Sequence, residues 1–254
     1  MILSFAICIM ALALELGAVL LLLRKSLWRE YPFFSAYAVW LLAANSAIFA
    51  ADVWSRSPDV SPGLYPSVYW HIDSIDIVLR LLVIWEVFRQ TFPRKSGLNR
   101  SFSKGLGIVA LALLTFACAT LWGYQNYTSL RSIHLALDRS FGFVQAIMIL
   151  GTLAMARYYG VRYGRNIRGI AIAFGGWASI STANSAMVDL TNSFRPFGDY
   201  LRPLSFVLML ACWIWALWVY APNPPIPESE GEDLARWAEE WNRTVSAART
   251  MIRP

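Results

Sequence analysis

The stretch that decides the fold comes first: residues 2–23 read ILSFAICIMALALELGAVLLLL, and Arg24, Lys25 and Arg29 follow at once. An unbroken apolar segment of about 20 residues spans a bilayer as a helix. A signal peptide carries its positive charges ahead of the apolar segment rather than behind it. The segment therefore reads as an uncleaved first span that ends among basic residues. The same unit recurs along the chain. Further apolar runs cover residues 32–53, 66–92, 105–124, 130–158, 167–190 and 201–220.

Basic residues gather at every second junction between these runs. One set of junctions holds twelve: Arg24, Lys25 and Arg29; Arg89, Arg94, Lys95, Arg100 and Lys104; Arg157, Arg162, Arg165 and Arg168. The other set holds four: Arg56, Arg131, Arg195 and Arg202. Lys and Arg are retained on the cytoplasmic side of a membrane. The pattern predicts an all-α integral membrane bundle of seven transmembrane helices in the plasma (inner) membrane, N-out/C-in. Pro32, Pro66 and Pro203 fall in predicted first turns, where a missing N–H is tolerated. On this reading no proline interrupts a span.

Composition agrees. Apolar residues make up 57% of the chain and charged residues 15%, against about 25% charged in a typical soluble domain. The net charge of +6 belongs mostly to span-flanking residues, which orient helices and meet anionic lipid heads. It carries no expectation of nucleic-acid binding. Cys8, Cys118 and Cys212 all lie in apolar runs without metal or redox spacing.

The composition changes after Tyr220. Residues 222–254 divide from the membrane domain at 1–221 and open on a proline-rich connector (APNPPIP, 221–227). From 228 on, Leu234, Ala238, Trp241, Val245, Ala248 and Ile252 recur at spacings of 3 and 4. That is the stripe of an amphipathic cytoplasmic helix. It is expected to lie on the membrane or loops, or to dock a protein partner. Twenty-seven residues are too few for a kinase, cyclase or phosphatase domain.

Ionisable residues inside spans are costly and default to a functional expectation. The third run, YWHIDSIDIVLRLLVIWEVFRQTF (69–92), holds Asp73, Asp76 and Arg80 at spacings of 3 and 4, hence on one face. The fifth run places His134, Asp138 and Gln145 in one stripe, and the sixth offers Ser181, Asn184 and Asp189. Counted back from Phe92, the outer boundary falls near residue 72 by the length of a span. Asp73, Asp76, Arg80, His134, Asp138, Asn184 and Asp189 then form an outer group, suited to a small polar ligand. Self-satisfied pairs, Asp76–Arg80 and His134–Asp138, are the competing structural reading. Glu15 and Glu86 fall in the inner half. Glu15 is expected to be protonated or bonded across helices. Glu86 is expected to pair with Arg89 or to reach inward.

Several chemistries are excluded by residue type. Every lysine (Lys25, Lys95, Lys104) lies between predicted spans, which leaves no retinal Schiff-base lysine. Two histidines, His71 and His134, without HxxxH or HExxH give no zinc set. There is no P-loop, GxSxG or dinucleotide turn. No cofactor, no metal and no catalytic residue is expected.

Tyr69-Trp70 followed by Asp73, then Trp85-Glu86-Val87-Phe88 and Phe92, with Tyr31-Pro32-Phe33 opening the second run, resembles a group of uncharacterised bacterial seven-helix proteins. The organisation also resembles the seven-helix sensor regions of some histidine kinases, although no effector domain follows here. The likeness covers the second and third runs and implies no assigned activity. The first functional expectation is a non-enzymatic sensor that binds a small polar ligand and signals through a partner. A transporter or channel subunit using the intramembrane charges is the second, and a structural subunit of a membrane complex the third.

Overall fold

The computed structural model describes residues 2–55, 64–92, 127–158, 164–191 and 195–219, with Arg236, Glu239, Glu240 and Arg243 beyond them. Its elements are α1 (Ile2–Arg24), a 3-10 turn (Leu27–Arg29), α2 (Pro32–Ser55), α3 (Leu64–Thr91), α4 (Tyr127–Tyr158), α5 (Arg165–Leu190) and α6 (Arg195–Trp218). The described residues are thus all-helical. The predicted run at 105–124 lies outside them. Of the tail expected to be helical, Arg236, Glu239, Glu240 and Arg243 are described and helical. Glu239 and Arg243 pair one turn apart at 4.0 Å.

Four of these helices are long and apolar enough to cross a bilayer, over Phe5–Arg24, Pro32–Trp54, Phe141–Tyr158 and Phe197–Trp218. By that measure α3 and α5 do not join them. The sequence of α3 carries Asp73, Asp76, Arg80, Glu86 and Arg89, and that of α5 is lightened by glycine, serine and asparagine. The four qualifying helices present bare apolar side chains outward, including Leu16, Leu20, Val39, Ile147, Leu150, Leu208 and Trp215. That exposure is what a lipid-facing surface requires, and the chain is read as a membrane protein.

The helices close on themselves. Each packs on the next from α1 to α6, α6 packs back on α1, and α3 touches α5 across the middle. Directions follow from matched contacts. Phe5 meets Phe49 and Glu15 meets Asn45, so α1 and α2 are antiparallel. Phe33 lies on Trp85 while Tyr37 reaches Asp76 and Arg80, so α2 and α3 are antiparallel. Gly142 faces Thr182 and Gly175 faces Ile149, so α4 opposes α5. Gly169 faces Ala216 and Asn184 reaches Gly198, so α5 opposes α6. Gly17 faces Ile214 and Lys25 reaches Leu217, so α6 runs with α1. Hence α1, α3, α4 and α6 point one way, and α2 and α5 the other.

This arrangement collects Arg24, Lys25, Arg29, Arg89, Arg157, Arg165 and Arg168 at one end of the bundle. The same end is knit by side chains that reach backbone carbonyls at or near helix ends. Lys25 donates its ammonium to the carbonyls of Leu217 (3.1 Å) and Trp218 at the end of α6. Asn166 Nδ2 donates to the Ala216 carbonyl at 2.9 Å, and Gln90 Nε2 to the Glu30 carbonyl at 2.6 Å. The core between the helices is aromatic: Phe34 and Tyr37 of α2, Phe174 of α5 and Trp213 of α6 meet at centroid separations of 4.8 to 6.1 Å. The tightest backbone approach is α5 on α6, where a Cβ on Gly169 would stand 2.4 Å from that of Ala216. Small residues permit such approach in helix pairs.

One expectation is corrected. α6 begins at Arg195, six residues before the predicted 201, and Pro203 therefore lies inside it. Pro196 occupies the first turn instead. Pro203 removes the N–H that the Asp199 carbonyl would accept and crowds that carbonyl.

Candidate functional site

The Asp76–Arg80 pair forms as its four-residue spacing predicts, with both side chains 8% exposed. Its setting is built by two other helices. The Arg80 guanidinium lies 4.7 Å from the ring centroid of Trp177 on α5. Tyr37 of α2, fully buried, brings its hydroxyl against both partners. An acid, an aromatic face and a phenol thus surround one guanidinium. Each favours a charge that burial alone would disfavour.

Beside Arg80 is a cavity of about 10 Å³, lined also by Gln145, Trp177, Ser181, Thr182 and Ser185. That is room for about one water molecule. Gln145 is 0% exposed, yet among the described residues neither its amide oxygen nor its nitrogen meets a partner, and neither does the Thr182 hydroxyl. Ser185 is satisfied by its own helix, donating to the Ser181 carbonyl at 3.0 Å. Gly142 makes the space, since a Cβ there would stand 2.6 Å from Thr182 Oγ1. A buried amide without partners costs about 1–3 kcal/mol.

Arg80 lies in the middle part of α3. It stands beside Trp177, twelve residues from one end of α5 and thirteen from the other. α3 is 28 residues long, more than the about 20 assumed for a span, and Glu86 fixes its register on α2. Leu81, Val83 and Ile84 of α3 belong with Phe174 and Trp213 to the apolar core.

Glu86 departs from its expectation. Its carboxylate accepts the N–H groups of Phe33 (3.2 Å, Oε1) and Phe34 (2.7 Å, Oε2) in the first turn of α2. Pro32 is the first helical residue, so these are the donors an N-cap side chain normally satisfies. Tyr31 ahead of it cannot do so, and α3 supplies the acceptor instead. The helix dipole adds to the attraction.

Glu15 follows the cross-helix expectation. Its Oε1 accepts from Asn45 Nδ2, while Oε2 has no partner among the described residues, at 1% residue exposure. Asn184 is drawn elsewhere: its Nδ2 donates to the Gly198 carbonyl at 3.1 Å, tying α5 to α6 rather than facing Asp76. Asp73, His134, Asp138 and Asp189 lie on α3, α4 and α5, with side chains outside the described residues. Among the described residues, no three His, Cys, Asp or Glu side chains converge as a metal site.

Tyr37, Trp177 and Thr182 are the participants that sequence reasoning missed. Their residue types read as packing, and spacing along one helix does not identify a neighbour on another. Gln145 carried a signal, being on the polar stripe of its run. Comparison of the chain with protein-family models, with curated proteins and with solved structures returns no match.

Proposed function

We propose that the chain is a non-enzymatic multi-pass membrane protein that binds a small polar ligand at the Arg80–Gln145–Thr182 cavity and signals occupancy to a partner. The observation that carries this reading is the fully buried, unsatisfied Gln145 amide facing the Thr182 hydroxyl and the Arg80 guanidinium. A ligand larger than water enters when α4 parts from α5 near Gly142.

Seven spans with the N-terminus outside belong to the same proposal. The parallel directions of α3 and α4 support it, because an apolar run such as 105–124 returns a chain across the bundle between parallel neighbours. The basic end, facing the cytoplasm on this reading, and the tail at 228–252 would make the partner contact.

The test is a stability screen of the protein in lipid nanodiscs against small carboxylic acids, amino acids and sugars. At least one solute is expected to raise the melting temperature of wild type but not of Gln145→Leu or Thr182→Val. If every stabilising solute acts equally on the variants, the cavity is not the site. If a solute bound there also accumulates in sealed vesicles dependent on Arg80, the protein is a transporter.

A further inference from the structure

The end of the bundle that collects the basic residues carries a recess of about 400 Å³, where the turn after α1 meets the start of α2 and the end of α3. Recesses of about 300–1,000 Å³ are the size that holds small organic molecules or parts of larger ones. Two guanidiniums line it, those of Arg29 and Arg89. Each is placed by an aromatic ring: Arg29 lies 5.1 Å from the ring centroid of Trp28, and Arg89 lies 5.0 Å from that of Trp85. An aromatic contact positions a guanidinium without neutralising it. The N–H fork of arginine matches the oxygens of a phosphate in pairs.

The two acids in the lining are not equivalent. Glu86 turns its carboxylate to the Phe33 and Phe34 N–H groups and is 4% exposed. Glu30, whose backbone carbonyl accepts from Gln90, contributes one acid to the wall. Two guanidiniums with one acid beside them suit a singly charged phosphodiester better than a doubly charged phosphate.

The recess also sits at the edge of the apolar layer. One apolar helix segment ends at Arg24 and the next begins at Pro32, with Arg29 and Glu30 between them. Lipid phosphates lie just outside the hydrocarbon, at the level that tryptophan favours, and Trp28 is 47% exposed there. Two apolar stripes lead away from the recess toward mid-membrane. On α2, Ala36 and Val39 follow Pro32; on α3, Leu82, Val78 and Ile75 precede Trp85, all at spacings of 3 or 4. Val39, Val78 and Ile75 are exposed. An acyl chain joined to a phosphate in the recess has a surface to lie on.

We propose that this recess binds the phosphodiester of a glycerophospholipid, held by Arg29 and Arg89, with the acyl chains along the outer faces of α2 and α3. The inference rests on the chain being a membrane protein. It does not rest on the Arg80 cavity, whose lining it does not share.

The experiment uses the full chain purified in dodecyl maltoside, a detergent without phosphate. Dioctanoyl phosphatidylglycerol is titrated against the melting temperature and is expected to raise it saturably. Dioctanoylglycerol, with the same chains and no phosphate, and inorganic phosphate, with no chains, should each fail to do so at the same concentration. Arg29→Gln combined with Arg89→Gln should weaken the phospholipid about tenfold or more, whereas Arg157→Gln, at the same end but outside the recess, should change it by less than about twofold. Gln145→Leu should leave the titration unchanged. Equal stabilisation by dioctanoylglycerol would show that chains alone are bound, and equal stabilisation by inorganic phosphate would show a site for the free anion; either overturns the proposal. An equal loss in Arg157→Gln would assign the effect to the diffuse charge of the basic end, and undiminished affinity in the double variant would remove the two arginines from the site; both also overturn it. Should the double variant fail to fold, the comparison of the three probes on wild-type protein decides.

Discussion

Removing the Glu86 carboxylate tests whether one helix is capped by the side chain of another. Glu86 is 4% exposed and accepts two first-turn N–H groups of α2, at 2.7 and 3.2 Å. Hydrogen bonds to a charged group contribute about 1.5–3 kcal/mol each. Taking the shorter at the upper part of that range and the longer at the lower gives about 4 kcal/mol for the pair. Glu86→Leu loses both acceptors and should cost that amount. Glu86→Gln keeps one oxygen but turns an NH₂ toward the other donor, and should cost about 2 kcal/mol. For a chain of this size, about 2–4 °C per kcal/mol puts the falls in melting temperature near 8–16 °C for leucine and 4–8 °C for glutamine. Thermal unfolding in nanodiscs, followed by tryptophan emission, measures both. Arg89→Gln is the control and should shift the midpoint by less than either, because the backbone rather than Arg89 holds the carboxylate. The capping argument is refuted if Glu86→Leu melts within about 2 °C of wild type, or if glutamine is no better than leucine.

Three further outcomes follow from packing and burial. Gly169→Ala should destabilise by about 1–3 kcal/mol, since its Cβ would stand 2.4 Å from that of Ala216; adding Ala216→Gly should restore most of the loss. Asp76→Leu alone should cost about 3–5 kcal/mol by leaving Arg80 buried without its acid. Combining it with Arg80→Met should recover much of that, and a double-mutant cycle measures the coupling. Gln145→Leu should raise stability by about 1–3 kcal/mol by removing the unsatisfied amide, a gain that abolishes ligand response if the cavity is the binding site. A fall in melting temperature for Gln145→Leu would mean that the amide has partners in the folded protein.

Helices with strong local signals were legible in the sequence. α1, α2, α4 and α5 begin and end within a few residues of the apolar runs, because hydrophobic length and first-turn proline act locally. The Asp76–Arg80 pair was legible for the same reason, as both groups lie on one helix. α6 was not bounded correctly: Arg195 and Asp199 broke the apolar run, while the helix continued through them. The role of Glu86 was not legible because its partners are backbone N–H groups 52 and 53 residues away, and any sequence supplies those. Arg80 was legible as a buried charge but not as a neighbour of Trp177, since periodicity assigns a face and leaves the facing helix open.

The side-chain ties at the basic end have a mechanical consequence. Lys25, Glu86, Gln90 and Asn166 bind helix ends there, and they make that end a fulcrum. α1 has 23 residues, a lever of about 34 Å at 1.5 Å per residue. A tilt of about 5° about Lys25 would displace its far tip by about 3 Å, nearly one turn-width of side chain. Ile7 and Cys8 lie near that tip, where leverage is greatest, while Arg24 and Arg29 lie at the pivot. An occupant at the tip would therefore be felt at the basic end as torque on the Lys25 and Glu86 ties, with little translation of the loops themselves.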